Sequence, residues 1–134
     1  MGIYKDILEK VNKDPESYKF NKVSNPTIEW LLGFSDIRQD YIDFLKEVGY
    51  GCVGDIYLKF YGVLIEAAEI YATQENLELD NVLLLGGKLS GDSIGFLTTD
   101  DWSIVEVWNE DLSIISREEK TFKEFVRKVF AKDL

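Results

Sequence analysis

Residues 81–116 read NVLLLGGKLSGDSIGFLTTDDWSIVEVWNEDLSIIS, and how this stretch is read decides the fold. Four short apolar runs, at 81–85, 93–98, 104–108 and 112–116, are parted by GGKLSGD, TDDW and NED. The runs are rich in Val, Ile, Leu and Phe, and the breaks in Gly, Asp and Asn, which is the punctuation of strands and turns. Connections this short join antiparallel neighbours, so the stretch predicts a four-strand meander.

Within it, Gly86 and Gly91 stand five apart and a hydroxyl residue, Ser93, comes next but one, a spacing that approaches a phosphate-binding loop. Such a loop needs a lysine after the second glycine and a helix running away behind it. Here the lysine position is Asp92, which would set a negative charge against phosphate oxygens. The residues behind it, IGFLTT, read as a strand. The stretch therefore predicts a hairpin turn and no nucleotide.

Working outward, IYKDILEKV places Ile3, Ile7, Leu8 and Val11 on one helical face, predicting a helix over 3–12. Pro15 and Pro26 bound an irregular connection, and residues 27–32, TIEWLL, suit a strand or a helical turn equally. SDIRQDYIDFLKEVGYG is a clear helix. Ser35 or Asp36 is placed to cap it, Ile37, Tyr41, Phe44, Leu45 and Val48 line one side, and Gly49 suits its left-handed end. Arg38, Asp43, Lys46 and Glu47 are expected on its solvated face.

GDIYLKFYG alternates as a strand, with Ile56, Leu58 and Phe60 opposite Tyr57, Lys59 and Tyr61. LIEAAEIYATQENL, from Leu64, carries the composition of another helix. KTFKEFVRKVFAKDL closes the chain as a helix capped by Thr121, with Phe122, Phe125, Val126 and Val129 buried and Lys128 and Lys132 near its negative end. Helices and strands in separate runs predict an α+β fold. One antiparallel sheet of four to six strands is covered by helices, in a single domain over 1–134 with its core at about 28–130.

A chain of 134 residues is long enough to bury a core without disulfides or structural metal. It has no histidine and one cysteine, Cys52, which removes the usual zinc sites, the Ser-His and Cys-His nucleophile pairs and any internal disulfide. Cys52 reads as a small buried residue. No apolar run approaches the ~20 residues of a membrane span, and the first residues lack a secretory pattern, so a cytoplasmic chain is expected. Fifteen basic against 25 acidic residues give a net charge of −10, a field that repels nucleic acid and anionic membranes and favours a basic partner.

The order of short motifs adds a resemblance. DYIDFLKEVGYG, FYG, LLLGGKLSGDSIGF, VEVWNED and TFKEFV succeed one another as in the SUKH superfamily of bacterial immunity proteins, the group related to the fungal cell-wall-assembly regulator. The resembling features are the helix ending at Gly49 and Gly51, the Gly91-Asp92 turn, and a strand with Val105 and Trp108. A closing helix with Thr121, Phe122 and Phe125 completes them, and the resemblance covers about residues 28–130. It implies a single-domain, non-catalytic α+β protein that binds and neutralises a toxin encoded alongside it, often a nuclease. No cofactor or metal is implied.

For the binding surface the sequence offers the turn acids Asp92, Asp100, Asp101, Glu110 and Asp111, with Trp102 between them as an exposed anchor, a core-facing Trp102 being the equal alternative. Asp40, Asp43 and Glu47 of the central helix form a second acidic patch. Two other functions stay open on sequence alone. One is a regulatory adaptor module with varied partners. The other is a small metal-dependent hydrolase that would use Asp100 and Asp101 together with Glu110 and Asp111.

Overall fold

A computed structural model describes residues 3–54, 58–71 and 77–131. In chain order it contains α1 (Lys5–Lys13), β1 (Tyr18–Asn21), α2 (Asn25–Leu31), α3 (Gln39–Glu47), β2 (Tyr50–Val53) and β3 (Leu58–Glu66). Then come α4 (Ala67–Tyr71), β4 (Val82–Lys88), β5 (Ser93–Leu97), β6 (Ser103–Val107), β7 (Ile114–Ser116) and α5 (Phe122–Phe130). The strands form one sheet in the order β1 to β7, each pair antiparallel. The architecture is α+β, with seven strands where the sequence predicts four to six.

The four strands of the meander lie where the apolar runs place them. The two unforeseen strands are β1 and β2, which pair residue for residue from Tyr18↔Val53 to Asn21↔Tyr50. β1 falls inside the stretch read as irregular between the prolines, yet it alternates: Tyr18 and Phe20 turn to the core while Lys19 and Asn21 are exposed. Gly51 lets the two strands close. A Cβ on it would stand 1.8 Å from the Lys19 carbonyl oxygen.

β3 also overrides a local preference. The helix expected from Leu64 does not begin there, because β3 continues to Glu66 and pairs Ile65↔Leu84 and Glu66↔Leu83 after a bulge. Val63, Leu64 and Ile65 are strand formers, and the pairing with β4 outweighs the helical composition of the residues beyond them. Of the expected helix α4 is described, and residues 72–76 lie outside the described residues. Ile56 and Tyr57 lie outside the described residues, as does Lys132.

Both faces of the sheet are buried. Leu58, Phe60, Leu64, Leu85, Ile94, Phe96 and Ile104 meet α1, α2, α3 and α5 in the main core. That core is strongly aromatic, with Phe44, Phe60 and Phe122 in mutual ring contact and Phe96 against Phe122. On the other face Val82, Leu84, Val105 and Val107 are covered by Ala67 of α4 and by Leu79.

The central helix starts later than expected. Neither Ser35 nor Asp36 caps it; Arg38 is its N-cap residue and makes no side-chain capping bond. Turns between Trp30 and Ile37 instead tuck Phe34 and Ile37 against the core. At the other end Gly49 has φ +105°, as predicted, with the Asn21 carbonyl oxygen 2.0 Å from where a Cβ would stand. Thr121 caps α5 by accepting from the Glu124 N–H, also as predicted.

The expectation of a solvated face on α3 holds for Lys46, which is exposed, and is corrected for Arg38, Asp43 and Glu47, which are half-buried. Arg38 donates to the carbonyls of Trp102 and Lys120, at 3.0 and 3.1 Å. Glu47 accepts the Tyr4 N–H at the start of α1, and Asp40 accepts the Lys123 N–H in the first turn of α5. Each carboxylate thus meets an orphan donor at the positive end of a neighbouring helix. Among the described residues no helix is long and apolar enough to cross a membrane.

Candidate partner-binding groove

Antiparallel connectivity divides the predicted site. The β5–β6 connection carries Asp100, Asp101 and Trp102 at one end of the sheet; the β4–β5 and β6–β7 connections carry Asp92, Glu110 and Asp111 at the other. Five-residue strands at about 3.3 Å per residue separate the two sets by more than ~13 Å. The acids do not form one surface, and the four carboxylates of the hydrolase reading are not brought together.

Several predicted residues have local structural roles. Asp92 is half-buried and accepts the Asn109 N–H at 2.8 Å, tying the two hairpins at that end. The GGKLSGDS stretch is a hairpin turn, closed by the Lys88 N–H to the Asp92 carbonyl, with Gly91 at φ +97°. Asp111 accepts from the Ser113 N–H, and hydrogen bonding from Ser113 holds its carboxyl below the usual range. Asp100 accepts from the Ser103 hydroxyl. Asp43 accepts from Gln39 on its own helix and is half-buried. Asp101 and Glu110 are exposed. Asp40 and Glu47 belong to the junctions of α3 with α5 and α1.

Trp102, an exposed anchor by its sequence setting, is only 6 % exposed, and that expectation is corrected. Asp101 and Trp102 in succession adopt left-handed φ of 54° and 56°, which costs non-glycine residues on the order of 1 kcal/mol each. That turn swings the indole inward against Phe96 and Phe34. The Arg38 guanidinium, donating to the Trp102 carbonyl, pins the turn from the far side. The exposed tryptophans are Trp30, at 55 %, and Trp108, at 43 %.

Trp30 marks the most developed concavity at this end. Ile28 and Leu31 of α2 face the core, and Trp30, off that face, stands out with its ring edge-on to Phe34 at 5.3 Å. Clefts lie on both sides of it. One, of about 210 Å³, is lined by Trp30, Phe34, Leu64, Ile65 and Leu83, with Glu66 and Glu69 on its wall. A second, of about 280 Å³, shares Phe34 and Leu83 with the first and continues to Trp102, Thr98, Asp36 and Asp80. A third, beyond Trp30, is bounded by Pro26, Thr27 and Val63. Together they form a groove across the ends of β3, β4 and β5, floored by apolar and aromatic side chains.

Its rim is acidic. Glu66, Glu69, Asp36 and Asp80 are exposed, and among the described residues none of the four is ion-paired or hydrogen-bonded through its carboxylate. Asp100 and Asp101 adjoin the same end through the turn that carries Trp102. Many basic side chains are engaged elsewhere. Lys88, Arg117 and Lys128 form a network with Glu106, Glu118 and Glu119, and Arg127 pairs with Asp6 at 2.5 Å. Arg38, held on the Trp102 and Lys120 carbonyls, is a basic side chain that adjoins the groove at its Trp102 end.

These residues escape a sequence reading for identifiable reasons. Trp30 is visible only once residues 27–32 are read as a helix, where Ile28 and Leu31 share a face that excludes it. Glu66 and Glu69 resemble an ordinary helix surface, and Asp36 a cap. Cys52, expected to be buried, is half-buried on the opposite face of the sheet from the main core. Comparison of the chain with family models, curated proteins and solved structures returns no match.

Proposed function

We propose that this chain is a non-catalytic immunity protein that binds a basic toxin and neutralises it by covering its active or substrate-binding surface. The observation that most supports this reading is the groove beside Trp30, a concave aromatic surface whose rim carries the exposed carboxylates of Glu66, Glu69, Asp36 and Asp80. Exposed tryptophan on an apolar floor is the composition of an interface anchor. A nuclease grips phosphate with a basic surface, and an acidic rim competes for that surface while speeding the encounter. Inhibition on this reading is steric and electrostatic, and no bond is made or broken by the chain.

The motif order that resembles the SUKH superfamily points the same way. The test is co-expression of this chain with the product of its neighbouring gene. Cells are expected to survive the toxin only when the chain is present, and equal killing with and without it would end the proposal. An adaptor function would instead leave the chain binding several partners with no toxin encoded beside it.

A further inference from the structure

The two central clefts have the same design. Each has an aromatic wall, Trp30 in one and Trp102 in the other, and they share Phe34 and Leu83. Each ends in a pair of exposed carboxylates, Glu66 and Glu69 or Asp36 and Asp80. An arginine or lysine side chain satisfies all three features at once. Its aliphatic stem covers apolar surface and its N–H groups reach carboxylates in either cleft. In the first its cation also stacks on the exposed indole of Trp30, whereas the buried Trp102 serves only as apolar wall. A purely apolar side chain would leave the carboxylates unanswered, and an acidic one would be repelled.

Resting on the proposal that this groove faces a basic partner, we infer that it contains two neighbouring subsites, each taking one arginine or lysine side chain from an extended segment of that partner. The shared Phe34 and Leu83 make the two clefts adjoin. Alternate side chains on one face of an extended chain stand roughly 7 Å apart, so the basic residues are i and i+2 in the partner. The third cleft, past Trp30, continues the groove and accommodates an apolar neighbour. Arginine is favoured over lysine in the Trp30 subsite, because a planar guanidinium both stacks on the exposed indole and forks onto a carboxylate.

The probe is the peptide acetyl-Gly-Arg-Gly-Arg-Gly-amide, titrated at low salt into isotopically labelled protein and followed by NMR. Acetyl-Gly-Arg-Gly-Gly-Gly-amide and the Glu-for-Arg peptide serve as comparisons. The two-arginine peptide is expected to shift the Trp30 indole N–H and the amides of Leu83 and Thr98, and to bind about fivefold or more tighter than the one-arginine peptide. Asp36→Asn with Asp80→Asn, or Glu66→Gln with Glu69→Gln, should reduce its affinity to that of the one-arginine peptide. Glu110→Gln with Asp111→Asn should leave it unchanged. Equal binding of both arginine peptides, no shift at the groove, or shifts centred on Glu110 and Asp111 would each overturn the inference. Neutralisation of the toxin by wild-type chain, undiminished in the groove variants, would refute the subsites and leave the immunity reading standing. Failure of the wild type to protect, with the peptide still bound in the groove, would do the reverse.

Discussion

Glu119 offers the sharpest test of how α5 is held to the sheet. Its side chain is fully buried and accepts from Arg117 Nε at 2.5 Å and from Lys128 Nζ at 3.2 Å. Arg117 also reaches Glu106 of β6 and lies over the Phe125 ring, 5.4 Å from its centre. Burial alone would raise the Glu119 carboxyl, but the hydrogen bonds and charges of Arg117 and Lys128 outweigh it and hold the group below its ordinary 4.5. Glu119→Gln removes the charge and keeps the shape. Breaking a buried pair costs about 3–5 kcal/mol, and because Arg117 keeps Glu106 the cost falls just below that range, at about 2–3 kcal/mol. For a chain of this size that corresponds to a fall in Tm of roughly 7–10 °C.

The pH dependence of this contribution has a definite sign. A carboxyl lowered in the folded state contributes stability that is full above the unfolded value and is lost as pH falls through the folded one. Urea unfolding of wild type and Glu119→Gln should therefore differ by the full amount at pH 7. The two should converge as pH drops below 4.5. Equal stability at pH 7, or a difference that grows on acidification, would refute the assignment of Glu119 as a paired, ionised carboxylate.

Other substitutions test other joints. Trp102→Ala should cost about 3–5 kcal/mol by calorimetry, as for a buried aromatic, while the exposed Trp108→Ala should cost under ~1 kcal/mol; the opposite ranking would mean that Trp102 is a surface residue. Gly49→Ala places a Cβ 2.0 Å from the Asn21 carbonyl oxygen at a positive φ, so a loss above ~2 kcal/mol is expected in denaturant titration. Asp40→Ala removes the acceptor of the Lys123 N–H and should cost about 1 kcal/mol, with faster amide exchange confined to the first turn of α5.

The features legible in the sequence and those hidden from it divide along physical lines. The meander was legible because its signals are local: glycine turns, short connections and β-branched runs lie within a few residues of one another. Gly49 and Thr121 were legible for the same reason, since a left-handed helix end and an N-cap are single-residue requirements. β1 was not, because its four residues become a strand only through β2, about thirty residues away. β2 was not, because its four residues alternate too briefly to mark a strand before it pairs with β1 and β3. The end of β3 was hidden because helix formers come directly after it and pairing with β4 decides the outcome.

The candidate site was half legible. Acidic charge and the interest of the turns were evident, and Asp100, Asp101 and Trp102 do fall at the groove end. That the turn acids sit at opposite ends depends only on strand direction, and that Asp40 and Glu47 hold α5 and α1 depends only on helix packing. Trp102 and Trp30 exchanged roles through two consecutive left-handed residues, a backbone choice that Asp101-Trp102 does not advertise.

The central claim, that the groove beside Trp30 is the inhibitory surface, is tested most directly by the Kd of the complex with the basic toxin that the proposed function predicts. The measurement compares wild type with Glu66→Lys/Glu69→Lys and with Glu110→Lys/Asp111→Lys at the other end of the sheet. Reversal at the groove should weaken binding by at least ~2 kcal/mol, about thirtyfold, and reversal at the far end should change it by less than about threefold. An unchanged Kd for the groove variant, or a larger loss at the far end, would contradict the account.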